Sequence, residues 1–135
     1  MNGLSFESLM QSVFKPFLEQ LGFAMQPVHV SGRYYRASFA DRKRTLLITF
    51  EPGDEQTTVM LLTNGDDDLR SIDDPAKTPR LSHLNARYMG LVTASERADN
   101  EAFFGHQEPL DRAEQKLIKC AKDLRLVLPH YLASL

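Results

Sequence analysis

Four kinds of residue in this chain could do chemistry, and each kind needs a particular neighbourhood. A thiol nucleophile needs a lowered pKa, supplied by a cation, a helix N-terminus or a base. Cys120 is the only cysteine. It falls on the apolar arc of a helical pattern, where a buried structural thiol is expected. A metal ion needs converging ligands. His29, His83, His106 and His130 are far apart, and none pairs with a second ligand type at helical spacing in a clear helical pattern. Hydrogen-bonded or surface histidines are expected, with no metal site.

The aspartates are the third kind. Asp66, Asp67 and Asp68 follow Asn64-Gly65, and Asp73 and Asp74 come shortly after. A calcium-binding EF-hand loop needs alternating ligands, a central glycine and a terminal glutamate, and that order is missing. A solvated acidic loop or an electrostatic docking loop is expected. The fourth kind is the block Arg33-Tyr34-Tyr35-Arg36, followed by Asp41-Arg42-Lys43-Arg44. Aromatic and cationic side chains together can stack on bases and contact phosphates. Alternation gives the block another role, with Tyr35 pointing into a core and Tyr34 and Arg36 pointing out. The nearby acidic residues would repel phosphate.

Strand and helix periods show what must position these residues. Residues 5–21 carry Phe6, Leu9, Met10, Val13, Phe14, Phe17, Leu18 and Leu21 at three- and four-residue spacing, the pattern of an amphipathic helix. Ser5 is its expected N-cap and Gly22 its stop. Pro16 removes a backbone donor and predicts a kink near Lys15. Residues 23–30 read as a strand interrupted by Pro27. Residues 34–40, 44–51 and 57–63 read as further strands joined by short polar connections, which predicts an antiparallel meander. Adjacent apolar residues in the last two strands predict central positions, partly covered on both faces.

Residues 64–80 read as a loop rich in Asp and Pro. Leu81, Leu84, Tyr88, Leu91 and Val92 suggest a second helix, weakened by Gly90, and residues 94–109 fit no single pattern. Residues 110–128 form the clearest helix. Leu110, Ala113, Leu117, Cys120, Ala121, Leu124, Val127 and Leu128 lie on its apolar arc, Pro109 and Asp111 suit its start, and Pro129 is expected to end it. The expected fold is therefore α+β, one domain over residues 1–135. It has an N-terminal helix, an antiparallel meander of three to four strands, and two C-terminal helices on one sheet face.

Composition narrows the function classes. The chain has 135 residues, 42% apolar and 25% charged, with Lys+Arg 16 against Asp+Glu 18 and a net charge of -2. A nucleic-acid binder normally carries a clear basic excess, so none is expected here. One cysteine, no signal-peptide pattern and no run of membrane-spanning length make the cytoplasm the expected compartment, with no membrane partner. There is no Gly-x-Ser-x-Gly elbow, phosphate-binding glycine loop or dinucleotide fingerprint, so neither an enzyme nor a cofactor is expected. Charge is segregated instead. A basic block at 33–44 precedes an acidic one from Glu51 through Asp54, Glu55 and Asp66 to Asp74, in which Arg70 is the only cation. That favours another protein as partner, met by Tyr34, Arg36, Asp66, Asp67, Asp68, Asp73 and Asp74.

The first helix ends Leu21-Gly22-Phe23, and strands end Ile48-Thr49-Phe50-Glu51 and Val59-Met60-Leu61-Leu62. The last helix bears Lys119-Cys120-Ala121-Lys122-Asp123-Leu124. In this order and size the chain resembles the small cytoplasmic immunity proteins of bacterial toxin systems, across most of its length. The resemblance implies neutralisation of a cognate toxin by direct binding, without catalysis. It carries over no individual residue. The chain is also similar in size and in its helix-strand mixture to the small acidic chaperones of type III secretion, but departs from them in lacking a strand pair after the middle helix. A ligand-binding or enzymatic domain with a site of scattered residues is the remaining alternative. The chain is expected to be a monomer or a homodimer.

Overall fold

The computed structural model describes residues 1–64 and 77–135. The N-terminal helix is one rod in three pieces: α1 (Gly3–Leu9), a π-helical turn (Met10–Phe14) and α2 (Lys15–Gln20). Its N-cap is Asn2, whose side chain accepts from Ser5 N–H at 2.9 Å while Ser5 Oγ accepts from Asn2 N–H. Ser5, the expected cap, is thus the third helical residue of a capping box. The π turn is the response to Pro16. Lys15 N–H reaches back five residues to the Met10 carbonyl. That widened turn relieves the clash a proline ring makes with the carbonyl four residues earlier. Gly22, at φ +92°, then turns the chain into the sheet.

Five antiparallel strands follow: β1 (Ala24–Met25), β2 (His29–Val30), β3 (Tyr35–Ala40), β4 (Arg44–Glu51) and β5 (Gln56–Thr63). β1 and β2 both pair with the same side of β3, on either side of Pro27, so the interrupted strand is an edge. β4 is central between β3 and β5. β5 is not central as expected; beside it runs residues 79–80, with Leu61 N–H donating to the Pro79 carbonyl at 2.9 Å and a bridge from Met60 to Arg80. The β3–β4 turn is held by Asp41, whose Oδ1 accepts from Lys43 N–H and Arg44 N–H at 2.8 and 2.6 Å.

Helices after the sheet are α3 (Leu81–Tyr88), extended by a 3₁₀ turn (Met89–Leu91), then α4 (Ala94–Phe104) and α5 (Arg112–Ala133). The sequence from 94, which fitted no single pattern, is a helix because Thr93 and Glu96 form a reciprocal capping box at 3.1 and 3.3 Å. α5 starts at an Asp111 cap, as expected. Leu110, placed on its apolar arc from sequence, lies before the cap and is 84% exposed.

α5 also continues through Pro129 to Ala133, where a stop was expected. Leu126, Val127 and Leu128 are buried just before the proline. After it, His130 bonds Glu96, Tyr131 packs edge-on to Tyr88 at 6.1 Å, and Ser134 Oγ meets Tyr88 Oη at 3.0 Å. These contacts hold the last turn against the loss of one helical hydrogen bond.

The core lies on one sheet face. Ala37, Phe39, Leu46, Ile48, Phe50, Val59 and Leu61 are buried, and with them Phe6, Met10, Phe14, Phe17 and Leu18 of the N-terminal helix and Leu117, Ala121, Leu124 and Val127 of α5. Phe17 sits 6.1 Å from Phe14 and 5.9 Å, edge-on, from Phe104. Phe17→Ala should therefore lower the unfolding free energy by about 3–5 kcal/mol in urea titration. Pro129→Ala should raise it, by up to about 3 kcal/mol, because the Arg125 carbonyl regains a helical donor. An unchanged midpoint would show that the proline costs the helix nothing.

Candidate functional site

Alternation along β3 and β4 divides the sheet's side chains. Opposite the core, Ser38, Leu47 and Met60 form one cross-strand row, and Ala40, Thr45 and Leu62 the next. Arg36, Thr49 and Thr58 form a third. Leu47, Met60 and Leu62 are only half-buried, and no described helix covers this face. The adjacent apolar pairs in β4 and β5 thus put one residue in the core and one on this outer face.

At one corner three planar groups stack. The Arg36 guanidinium lies 4.7 Å from the Tyr34 ring centroid, and the His29 ring stacks on the other partner of that pair, Tyr34, at 5.4 Å and 28°. Tyr35 points the opposite way, with Phe6 and Phe50 each 5.7 Å distant. Tyr34 is fixed from below as well: Ser31 Oγ accepts from its N–H at 3.2 Å, and its carbonyl accepts from Ser31 N–H at 3.0 Å. Tyr34 and Arg36, chosen from sequence, therefore share one rigid corner. His29 belongs with them and was missed. Its signal was its register opposite Arg36, which depends on how Pro27 interrupts the edge strand. Asp66, Asp67, Asp68, Asp73 and Asp74 lie outside the described residues.

A cleft of about 660 Å³ opens between the β4–β5 turn, α3 and α5. Its walls mix signs: Asp54 and Glu55 face Lys116 and Lys119. Asp123 Oδ2 accepts from Lys119 Nζ at 3.1 Å and from Asn85 Nδ2 at 3.3 Å, while Asn85 Oδ1 is buried without a partner among the described residues. Cys120, expected to be buried, is half-buried and lines this cleft; its thiol is pushed up to about 11, chiefly by desolvation and secondly by the Asp123 carboxylate. At neutral pH only about one thiol in 10⁴ would be ionised, the opposite of what a nucleophile requires.

The histidines have structural partners. His83 Nδ1 accepts from Arg80 N–H at 3.1 Å and so caps α3, and His106 lies 3.3 Å from Glu108. His130 Nε2 meets Glu96 Oε2 at 2.7 Å and ties α4 to α5. Among the described residues, no three His, Cys, Asp or Glu side chains converge on a metal position, and no helix is long and apolar enough to cross a membrane.

Two measurements check these assignments. Iodoacetamide should alkylate Cys120 about 100-fold more slowly in the native protein than in urea-unfolded chain, since the half-buried thiol, although it lines the cleft, is held protonated and supplies little thiolate. Rapid native alkylation would make Cys120 a reactive group. The hydrogen bond from His130 holds the Glu96 carboxyl below the ordinary glutamate range, against a smaller effect of desolvation. A lowered folded pKa stabilises the fold above the ordinary value, and the contribution disappears as pH falls through the folded value. The melting-temperature gap between wild type and Glu96→Gln should therefore be present at neutral pH and narrow as pH falls below the ordinary glutamate range. Comparison with family models, with curated proteins and with solved structures gives no match to this chain.

Proposed function

We propose that this chain is a protein-binding domain without catalytic activity, an immunity protein that neutralises a cognate bacterial toxin by direct contact. The observation that carries the reading is the outer sheet face: an apolar and hydroxyl-bearing surface ending in the rigid stack of His29, Tyr34 and Arg36. Such a face suits a macromolecular partner more than a small substrate. It is broad, it offers Leu47, Met60 and Leu62 for desolvation, and its aromatic–guanidinium corner has the residue types that dominate binding hot spots. Pre-stacked side chains lose little rotamer freedom on association. Arg36 is exposed and ready to meet a carboxylate.

The aspartates of 66–68 and 73–74 belong to the same reading as a negative block able to occupy a cationic site on the toxin. The two charge blocks would then contact different parts of one partner. Neutralisation by occupancy needs no chemistry from this chain, which fits a cleft thiol held protonated and His83, His106 and His130 engaged in a cap and two pairs.

The test is co-expression with the protein encoded by the adjacent gene. Wild type should restore growth arrested by that protein and bind it in calorimetric titration. Tyr34→Ala should weaken binding by about 2 kcal/mol or more, and Arg36→Glu should weaken it further by charge reversal, both with unchanged circular dichroism. Growth arrest unrelieved by the wild-type chain would sink the reading; rescue unaffected by either substitution would move the interface off this face.

A further inference from the structure

The two edges of the sheet are not alike. Residues 79–80 lie along β5. The other edge is formed by β1 and β2, and its register shows which backbone groups it leaves outward. Gln26 N–H donates to the Ser38 carbonyl at 2.8 Å, and Ala24 opposes Ala40. Positions 24 and 26 therefore turn their main chain towards β3, and Met25 turns its own away. In β2, Ser31 N–H donates to the Tyr34 carbonyl at 3.0 Å and His29 opposes Arg36, so Val30 is the outward position.

A groove of about 400 Å³ runs beside this edge. Residues 24–28 form one side, and Glu7, Gln11, Lys15 and Glu19 of the N-terminal helix form the other. Lys15 Nζ lies 3.7 Å from Glu19. Glu7 has no ion pair among the described residues, so the wall presents one uncompensated negative charge. At the end of the edge beyond this groove, Leu4 is 80% and Val30 48% exposed. Gly3 lets the helix approach there: a Cβ on it would fall 2.6 Å from Val30 Cγ1.

We infer that this groove takes an extended segment of another polypeptide, which pairs its main chain with Met25 and Val30, sets a basic side chain against Glu7 and lays an apolar one over Leu4 and Val30. Outward N–H and C=O groups of an edge strand are satisfied by another strand. The charge of Glu7 and the exposed leucine and valine then choose that strand's side chains. Pro27 has no N–H and sits where the edge bulges, so pairing is limited to two separated points. That suits a short segment and works against indiscriminate edge-to-edge association. The groove lies on the helix side of the sheet, so it goes beyond the outer-face interface and does not depend on it.

Peptides of roughly seven residues, the length of the edge, displayed as a random library and selected on the full chain, supply the probe. The enriched sequences should carry a Lys or Arg beside alternating apolar residues. An enriched peptide should slow amide exchange at Met25 and Val30. N-methylation of its alternate amides, Glu7→Lys and Leu4→Ser should each weaken its binding about tenfold or more, while Arg36→Glu should leave it unchanged. No enrichment, or binding indifferent to N-methylation and to Glu7→Lys, overturns the assignment. So does a homodimer in sedimentation that Leu4→Ser dissociates, since the occupant would then be a second copy.

Discussion

Everything in this fold depends on the burial of one sheet face. Phe39, Leu46, Ile48, Phe50 and Leu61 point into a layer of phenylalanine and leucine supplied by the N-terminal helix and α5. Each large apolar side chain removed from water there contributes about 1.5–3 kcal/mol. Sidedness follows at once. A strand that gives alternate residues to the core must give the others to the opposite face. Since the described helices lie on the core side, the composition of the outer face is fixed by the same alternation that builds the core. Side chains on that outer face can be chosen for a partner at little cost to the hydrophobic layer beneath.

Prolines set the departures from regular geometry, and each is resolved by its own surroundings. Pro16 is accommodated by widening the preceding turn to a π turn, which keeps Phe14, Phe17 and Leu18 buried on one side. Pro129 is tolerated within α5 because contacts beyond it reach α3 and α4. The α4–α5 junction is held by polar contacts as well as apolar ones. Asn100, 2% exposed, donates to the Lys122 carbonyl at 3.0 Å and accepts from Arg125 at 2.9 Å. The Arg125 guanidinium also lies 4.1 Å from the Phe103 ring centroid. A buried amide bonded through both its nitrogen and its oxygen fixes the position of α4 more narrowly than apolar packing would, because displacement leaves those groups unpaired.

The α+β class, the N-terminal helix, three strands and α5 were legible from sequence because each has a strong period and a clear boundary. Local hydrogen-bond chemistry was harder to read. Asn2 rather than Ser5 caps the first helix, although an Asn three residues before a Ser is itself a capping signal. Thr93-x-x-Glu96 is a capping box in plain sight, and it would have resolved the stretch from 94 as a helix. Pro129 misled because local propensity forbids what tertiary contacts permit. Of the candidate site, Tyr34 and Arg36 followed from alternation alone. His29 did not, since its neighbours are fixed by pairing across strands, and the groove beside β1 and β2 arises from packing between segments that no local pattern connects.

The clearest link between fold and site runs through Pro27. Along β1, residue numbers across the pair sum to a constant: Ala24 opposes Ala40 and Met25 opposes Phe39. Continued unbroken, that register would place Val28 opposite Arg36 and turn His29 towards Tyr35 and the core. The bulge at Pro27 inserts one residue, so His29 opposes Arg36 instead. A one-residue slip exchanges the two faces of a strand, and here it moves an imidazole out of the core layer and onto Tyr34. Val30 takes the inward side and meets Gly3 at the start of α1. One extra residue at a proline thus completes the aromatic stack on the outer face and, at the same edge, aims the main chain of Val30 away from the sheet.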